Sequence, residues 1–228
     1  MVGKRLSEWG LLIPGGNGRL GDKTMSIPKS HYFEARPAVP SRPHLVRLKT
    51  GDVDLQLQAD RGVFGSRGVD LGTQMLLQEA PAPPPAGELL DLGCGYGPIA
   101  IVLARRAPGA RVWAVDVNER ALELTRANAV AAGTANVEAR LPDDVPGAIE
   151  FKAIYSNPPV RVGKQPLHDL LLRWLPRLGP DGAAYMVVQR NLGADSLARW
   201  LADAEQGFAV VRLKSKKGYR ILEVKRAP

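Results

Sequence analysis

Apolar and polar positions follow two periods along this chain, and the two periods separate strands from helices. Residues 45–49 and 53–58 alternate with period two around a Gly-Asp turn, which predicts a β-hairpin. After residue 85, short apolar runs typical of buried strands are followed by helical patterns. The predicted strands beyond the hairpin are residues 89–92, 111–116, 136–139, 151–156, 183–189, 210–213 and 219–224.

Helical patterns lie between most of these strands. The predicted helices are residues 74–79, 99–106, 119 to about 132, 165–178 and 193–204. Because strands and helices alternate, the pattern predicts an α/β fold with a mostly parallel sheet and helices on both faces. The last two predicted strands flank a short polar turn at residues 215–218, which predicts a closing antiparallel hairpin.

The same pattern divides the chain into three parts. Residues 1–29 have little periodicity and a Pro-Gly-Gly run, and we expect a flexible or loosely docked arm. Residues 30–80 hold the first hairpin and a Gly-rich stretch from 61 to 73, which is either a cover over a ligand or a plain connector. Residues 81–228 form the α/β core.

A glycine-rich turn follows the first core strand. Residues 91–97 read DLGCGYG, and Gly93, Gly95 and Gly97 allow backbone angles and a close ligand approach that a Cβ would block. Pro98 suits the first position of the helix that follows. The free N–H groups at that helix start predict an anionic or nucleoside-like ligand.

The spacing of this turn argues against a nicotinamide dinucleotide. The dinucleotide fingerprint is G-x-G-x-x-G, and here Pro98 occupies the place of the third glycine. A second acid, Asp116, stands at the tip of the next strand, where a carboxylate can bind ribose hydroxyls. The alternative is an acid that only stabilises the following turn or helix start.

Composition and charge predict a cellular location and a class of binding partner. The chain has 228 residues and a net charge of +8, with nine Lys/Arg against three Asp/Glu in residues 1–50 and seven against one in residues 209–228. Basic ends around a mildly acidic middle are typical of a nucleic-acid contact, although a solubilising surface gives the same pattern. The sequence shows neither a signal-peptide core nor a membrane span, so we expect a cytoplasmic protein.

Cysteine and histidine are sparse. The single cysteine, Cys94, excludes an intramolecular disulfide, fits a reducing compartment and reads as a space-filler in the glycine turn rather than a nucleophile. The three histidines are isolated in sequence, and no Cys/His cluster indicates a metal.

Asn157, Pro158 and Pro159 follow directly after a predicted core strand. In open α/β sheets, ligands bind beyond the carboxyl ends of strands. An Asn carbonyl oxygen and a rigid backbone carbonyl can accept the two N–H protons of an amine and so aim its lone pair at an electrophile. The alternative is a structural loop that ends the strand.

These motifs together resemble a known family. The run at 91–97 resembles motif I of class I S-adenosylmethionine-dependent methyltransferases, and Asn-Pro-Pro resembles motif IV of amino-group methyltransferases. With GVF at 62–64 and DLGTQMLL at 70–77, residues 30–226 look like the catalytic half of the RsmC-type small-subunit (16S) rRNA guanine-N2 methyltransferases. The resemblance implies a Rossmann-like class I methyltransferase with a seven-stranded sheet.

The resemblance also assigns roles to residues. It places the target amine at Asn157, Pro158 and Pro159. The residues that it implies for S-adenosylmethionine are Thr73, Asp91, Gly93, Cys94, Gly95, Gly97, Asp116, Val117, Arg140 and Asn157. The residues that it implies for substrate are Phe64, Val160, Arg161 and Lys164.

Two departures from the family pattern stand out. Val160 occupies the place of the aromatic expected after Asn-Pro-Pro, so stacking on an extruded base falls to another residue, with Phe64 and Tyr155 as candidates. The RsmC type also has a second, N-terminal methyltransferase-like domain, and at its length this chain is expected to lack it. We therefore expect residues 1–45, the basic C-terminal hairpin or a partner to hold the RNA.

The sequence thus predicts a methyltransferase of an exocyclic amino group in RNA, with guanine N2 of small-subunit rRNA as its target. A protein glutamine-N5 methyltransferase and a non-catalytic RNA-binding ribosome-assembly factor are the alternatives. The expected partners are ribosomal RNA or the small subunit, with no membrane, no metal and a monomeric state.

Overall fold

The computed structural model describes residues 39–203 and 205–227. The predicted arm at residues 1–29 and the beginning of the 30–80 segment lie outside these residues.

The core is one seven-stranded sheet whose strand order is β5-β4-β3-β6-β7-β9-β8. Strands β3 to β7 run parallel to one another, β9 pairs antiparallel with β7, and β8 pairs antiparallel with β9. The predicted fold class is therefore confirmed. The strands of this sheet are β3 (Ala86–Leu92), β4 (Gly109–Val115), β5 (Val137–Arg140), β6 (Phe151–Ser156), β7 (Leu178–Gln189), β8 (Phe208–Lys216) and β9 (Tyr219–Arg226).

Among the described residues, five α-helices cover the two faces of this sheet. They are α1 (Leu71–Glu79), α2 (Pro98–Arg106), α3 (Glu119–Ala131), α4 (Lys164–Trp174) and α5 (Ala194–Leu201). Apolar side chains of α1, α2 and α3 form one buried cluster with the sheet, and those of α4 and α5 form a second cluster on the other face. The short apolar strands can be buried on both sides because helices cover both faces.

Two helices differ from their predicted bounds for identifiable reasons. Helix α1 begins at Leu71, three residues before the predicted start, because the Asp70 side chain caps it by accepting from the N–H groups of Gly72 and Thr73. Helix α4 ends at Trp174 rather than 178, and a 3-10 turn containing Pro176 follows. Proline lacks the N–H that an α-helical turn needs there.

The predicted N-terminal hairpin is present and packs on α3. Strands β1 (His44–Thr50) and β2 (Val53–Ala59) pair antiparallel as a separate two-stranded sheet. The Asn128 amide on α3 fixes them, since its Oδ1 accepts from Gln58 N at 2.7 Å and its Nδ2 donates to Gln58 O at 2.8 Å. The same Nδ2 donates to Tyr96 O in the glycine turn at 2.8 Å. One amide on α3 thus links the hairpin to the glycine turn.

Within the described residues, no helix is long and apolar enough to cross a bilayer.

Candidate active site

The glycine turn and the Asn-Pro-Pro segment lie side by side at the carboxyl edge of the sheet. Strands β3 and β6 are neighbours, and Leu92 pairs with Ser156 in their register. The Ser156 hydroxyl donates to Leu92 O at 2.7 Å, which joins the two strand ends just before the turn and before Asn157. This edge is the topological switch point, where open α/β sheets place their ligands.

Three glycines of the turn have left-handed backbone angles. Gly93, Gly95 and Gly97 have φ values of 78°, 57° and 89°, a region that costs other residues about 1–2 kcal/mol. A Cβ at Gly97 would also lie 2.9 Å from Thr125 Cγ2, whereas a Cβ at Gly93 would have nothing within 4 Å. Gly97 is therefore required for packing, and the space above Gly93 is open.

Asp116 holds the turn from the end of β4. Its Oδ2 accepts from Gly95 N at 2.9 Å, and its Oδ1 accepts from Asn118 N at 2.9 Å. Burial raises the pKa of Asp116 above its ordinary value. Asp116 is mostly buried but lines the cavity beside Gly93, so the remaining lone pairs of its carboxylate can accept from a ligand.

Asp91 is fully buried beneath the turn and lacks one partner. Its Oδ2 accepts from Ala100 N at 2.9 Å in the first turn of α2, but its Oδ1 has no hydrogen bond. Burial, and to a smaller degree the charge of Asp116, raises the pKa of Asp91 to about 8. A buried carboxylate oxygen without a partner is costly unless a donor reaches it.

The Asn157 amide is fixed in one orientation. Its Nδ2 donates to Asp70 Oδ2 at 2.9 Å and to Thr73 Oγ1 at 3.0 Å. A carboxylate accepts but cannot donate, so a flipped amide would set two acceptors against each other. The Oδ1 atom of Asn157 has no bonded donor among the described residues and is left for a ligand.

A close approach at Gly72 explains the spacing of the Asp70, Gly72 and Thr73 motif. A Cβ at Gly72 would lie 2.8 Å from Asp70 Oδ2 and 2.9 Å from Tyr219 Cε1 on β9. Any larger residue would push the start of α1 away from the carboxylate. Asp70, which the sequence analysis did not single out as a site residue, therefore caps α1 and orients Asn157 with the same oxygen.

A cavity lies in front of these groups. Its enclosed part measures about 120 Å³, enough for one end of a ligand, and it opens above the turn at Gly93. Its lining contains eight of the residues that the sequence analysis named. They are Phe64, Gly93, Asp116, Val117, Asn157, Pro159, Val160 and Arg161.

The Gly-rich stretch after β2 lies against the turn as a cover. Gly62 O accepts from Asn118 Nδ2 at 2.9 Å, and Arg61 O accepts from Arg120 Nη1 at 2.8 Å. A Cβ at Gly95 would lie 3.6 Å from Phe64 O, so the cover and the turn are in close contact. Phe64 is 47% exposed and presents its ring at the cavity. The stretch thus contacts both the turn and the cavity, and its role as a cover stays a prediction.

The remaining predicted residues lie around the cavity rather than in its lining. Cys94 is buried against Thr125, with Sγ and Oγ1 3.6 Å apart, and burial raises the pKa of its thiol, which fits a space-filler. Pro158 is buried, and its carbonyl accepts from Val160 N at 2.8 Å, which leaves one lone pair.

The structure places Arg140 and Lys164 at exposed positions. The Arg140 guanidinium pairs with Glu138 at 3.3 Å, and Lys164 borders a neighbouring cavity beside Val160. Neither residue lines the cavity around Asn157, and the predicted roles of both stay predictions.

Five cations of the C-terminal hairpin (β8 and β9) have an acidic partner, and three carboxylates supply all of these contacts. The pairs are Arg212 and Arg220 with Asp195, Lys214 and Lys216 with Glu79, and Lys225 with Glu223. Three carboxylates thus partner five cations, so the hairpin keeps a net positive charge, and its expected part in holding RNA stays a prediction. Lys217 and Arg226 have no such partner among the described residues.

Within the described part of the chain, no group of three or more His, Cys, Asp or Glu side chains could hold a metal ion.

Comparison with known proteins assigns this arrangement to a family. Residues 54–223 match the family model described as the methyltransferase small domain. An uncharacterized protein of Bacillus subtilis, YbxB, is 34% identical over 199 residues, which cover 86% of this chain and 98% of that protein.

Other relatives are named for ribosomal RNA methylation. The ribosomal RNA small subunit methyltransferase C of Pseudomonas aeruginosa (strain UCBPP-PA14) is 34% identical over 196 residues, covering 78% of this chain and 57% of that protein. The chain thus spans about half the length of such relatives. A solved 16S rRNA N2-guanine methyltransferase (RsmC) from Thermus thermophilus, in complex with AdoMet and guanosine, has a TM-score of 0.65 at 22% identity over 83% of this chain and 52% of that chain.

Proposed function

Because this chain belongs to the methyltransferase small domain family, we propose that it is an S-adenosylmethionine-dependent methyltransferase of an exocyclic amino group in RNA. The proposed target is guanine N2 of small-subunit ribosomal RNA. The relatives named for small-subunit rRNA methylation support the RNA class. The single observation that carries the chemistry is the fixed orientation of the Asn157 amide.

The residues of the turn fit the proposed methyl donor. S-Adenosylmethionine carries an ammonium group, and the unpartnered Oδ1 of buried Asp91 is an acceptor that such a cation would satisfy. The open space above Gly93 lets a ligand approach the backbone closely. We assign Asp116 to the ribose hydroxyls and Val117 to the adenine, because both residues line the same cavity. When bound, the donor supplies a methyl group on a positively charged sulfur.

On the side of the site that binds the methyl acceptor, the amine must be oriented, and no strong base is needed there. The lone pair of an exocyclic amine is delocalised into its ring, so the amine is a weak nucleophile. Asn157 Oδ1 can accept one of its N–H protons, and the free lone pair of the Pro158 carbonyl can accept the other. Two preset acceptors would orient the amine toward a bound methyl donor and stabilise the positive charge that develops on its nitrogen until one N–H proton leaves to water.

Phe64 is our candidate for the stacking aromatic that Val160 does not provide. Its ring is half-exposed at the cavity that Asn157 also lines. A base that is methylated on its edge must leave its stack and enter the pocket, and an aromatic face stabilises it there. Tyr155, the other candidate, is buried and its hydroxyl donates to Pro81 O at 2.9 Å, so it belongs to the core.

The test is methyl transfer from labelled S-adenosylmethionine to three acceptors, namely naked 16S rRNA, small ribosomal subunits and a peptide-release factor. The Asn157→Ala variant removes the proposed acceptor, and Gln56→Ala, which removes an exposed amide on β2, is the matched control. We expect label in rRNA or subunits, lost in Asn157→Ala and kept in Gln56→Ala. Label only in the release factor would favour the glutamine alternative, because an Asn-Pro-Pro site suits a side-chain amide equally well. Cofactor binding without label in any acceptor would contradict the proposal.

A further inference from the structure

A second and larger concavity lies on the outer side of the cover loop. This groove measures about 1050 Å³ and runs between the start of β1 and residues 61–70. Arg42, Arg61 and Arg67 line it, and all three are exposed. Their side chains form no ion pair among the described residues, in contrast to most cations of the C-terminal hairpin.

The acids near the groove do not cancel this charge. The buried Asp60 side chain accepts from the backbone N–H groups of Arg42 and Arg61 at 2.5 and 2.7 Å and lies 3.8 Å from Arg120. The Oδ2 atom of Asp70, at the inner end of the groove, already accepts from three donors. Asp60 has a cationic neighbour in Arg120, whereas Asp70 has only neutral donors and keeps its charge. The groove is still net positive, because its three guanidinium groups are exposed and have no side-chain partner among the described residues.

The groove leads to the proposed catalytic amide. Asp70 lines its inner end, and the same carboxylate is 2.9 Å from Asn157 Nδ2. The cover loop is the shared wall, with Phe64 on the cavity side and Ser66 and Arg67 on the groove side. A chain lying in the groove therefore arrives next to the pocket in which one of its bases would sit.

We propose that this groove binds the phosphodiester backbone of the RNA strand that flanks the methylated base. Guanidinium groups match phosphate oxygens in a planar, bidentate geometry. Contacts of this kind set position and orientation and do not read sequence. The inference rests on the proposed function, because it gives the RNA substrate of that same site a path across the molecule.

The test compares two triple variants with equal loss of charge. The groove variant is Arg42→Gln, Arg61→Gln and Arg67→Gln. The control is Lys49→Gln, Lys152→Gln and Arg199→Gln, three exposed cations that line neither the groove nor the cavity. Binding to a fluorescein-labelled single-stranded RNA of about twenty nucleotides is measured from 50 to 400 mM salt, with S-adenosylmethionine affinity measured by calorimetry.

Three lost phosphate contacts reduce the slope of log Kd against log salt by about 2 and weaken binding at 0.15 M salt by about 50-fold, by counterion release. We expect this change in the groove variant, a much smaller one in the control, and unchanged cofactor affinity in both. If the slope of log Kd against log salt is equal in the groove and control variants while wild type still methylates RNA, the proposal that RNA binds in the groove is wrong and the proposed function is unaffected. RNA binding through the groove without methyl transfer would instead count against the proposed function.

Discussion

One carboxylate oxygen of Asp70 both caps α1 and orients Asn157, and a substitution that keeps only the cap can separate the two roles. Its Oδ2 accepts from Gly72 N at 2.8 Å, Thr73 N at 3.2 Å and Asn157 Nδ2 at 2.9 Å. Serine caps helices about as well as aspartate, but its shorter side chain leaves Asn157 without its charged partner. Asp70→Ser should therefore keep the melting temperature near that of wild type while lowering the rate of methyl transfer.

The magnitude follows from the contact that is lost. A hydrogen bond to a charged group contributes about 1.5–3 kcal/mol, and each 1.36 kcal/mol is about tenfold in rate. If the bond serves to orient the amide, Asp70→Ser lowers kcat about 10- to 100-fold. Asp70→Ala should show the same loss and also lower the melting temperature by about 2–4 °C, because about 1 kcal/mol of capping is lost as well.

The assay is single-turnover transfer of labelled methyl to 16S rRNA at saturating cofactor, with the S-adenosylmethionine Kd measured separately. Orientation of Asn157 predicts a fall in rate with an unchanged cofactor Kd. A wild-type rate in Asp70→Ser would refute the reasoning, and so would a loss of rate in proportion to a loss of folded protein.

Three further predictions concern the glycine turn. Asp116→Ala should weaken S-adenosylmethionine binding about tenfold or more by calorimetry, since a carboxylate that accepts ligand hydroxyls is lost; an unchanged Kd would remove Asp116 from the cofactor site. Asp91 has a folded-state pKa raised to about 8, so the folded protein holds an extra proton and its stability falls as pH rises from the unfolded value near 4 toward 8. Asp91→Asn should flatten that slope in apo-protein melting curves between pH 5 and 8, and a slope equal to that of wild type would contradict the assignment. Gly97→Ala should destabilise the fold by about 2 kcal/mol or more from its left-handed angle and the contact with Thr125, read from denaturant unfolding; wild-type stability would show that the turn tolerates a side chain.

The parts of the fold that depend on local pattern could be predicted from the sequence. Strand β6 and helix α2 follow the predicted bounds because apolar runs, Gly and Pro mark their ends. The proximity of Gly93, Asp116 and Asn157 could be predicted, because each follows a parallel strand and parallel strands end at one edge of the sheet.

The missed features depend on contacts between distant parts of the chain. Asp70 and Asn157 are 87 positions apart, so no spacing rule joins them, although the Asp-x-Gly-Thr run marked the segment. The pairing of Lys216 with Glu79 spans 137 positions, and net charge by segment gave no sign of it. Local composition therefore gave no sign of the ion pairs of the C-terminal hairpin or of the groove beside the cover loop.

The identity of the methylated nucleoside is the sharpest test of the proposed activity. Small-subunit rRNA labelled by the wild-type protein is digested to nucleosides and analysed by chromatography with mass spectrometry, beside rRNA treated with Asn157→Ala. We expect N2-methylguanosine with wild type and at least about a hundredfold less with the variant, because Asn157→Ala removes a preorganised contact that stabilises the transition state. A methyl group on a ribose oxygen or a ring nitrogen, or full N2 methylation by Asn157→Ala, would contradict it.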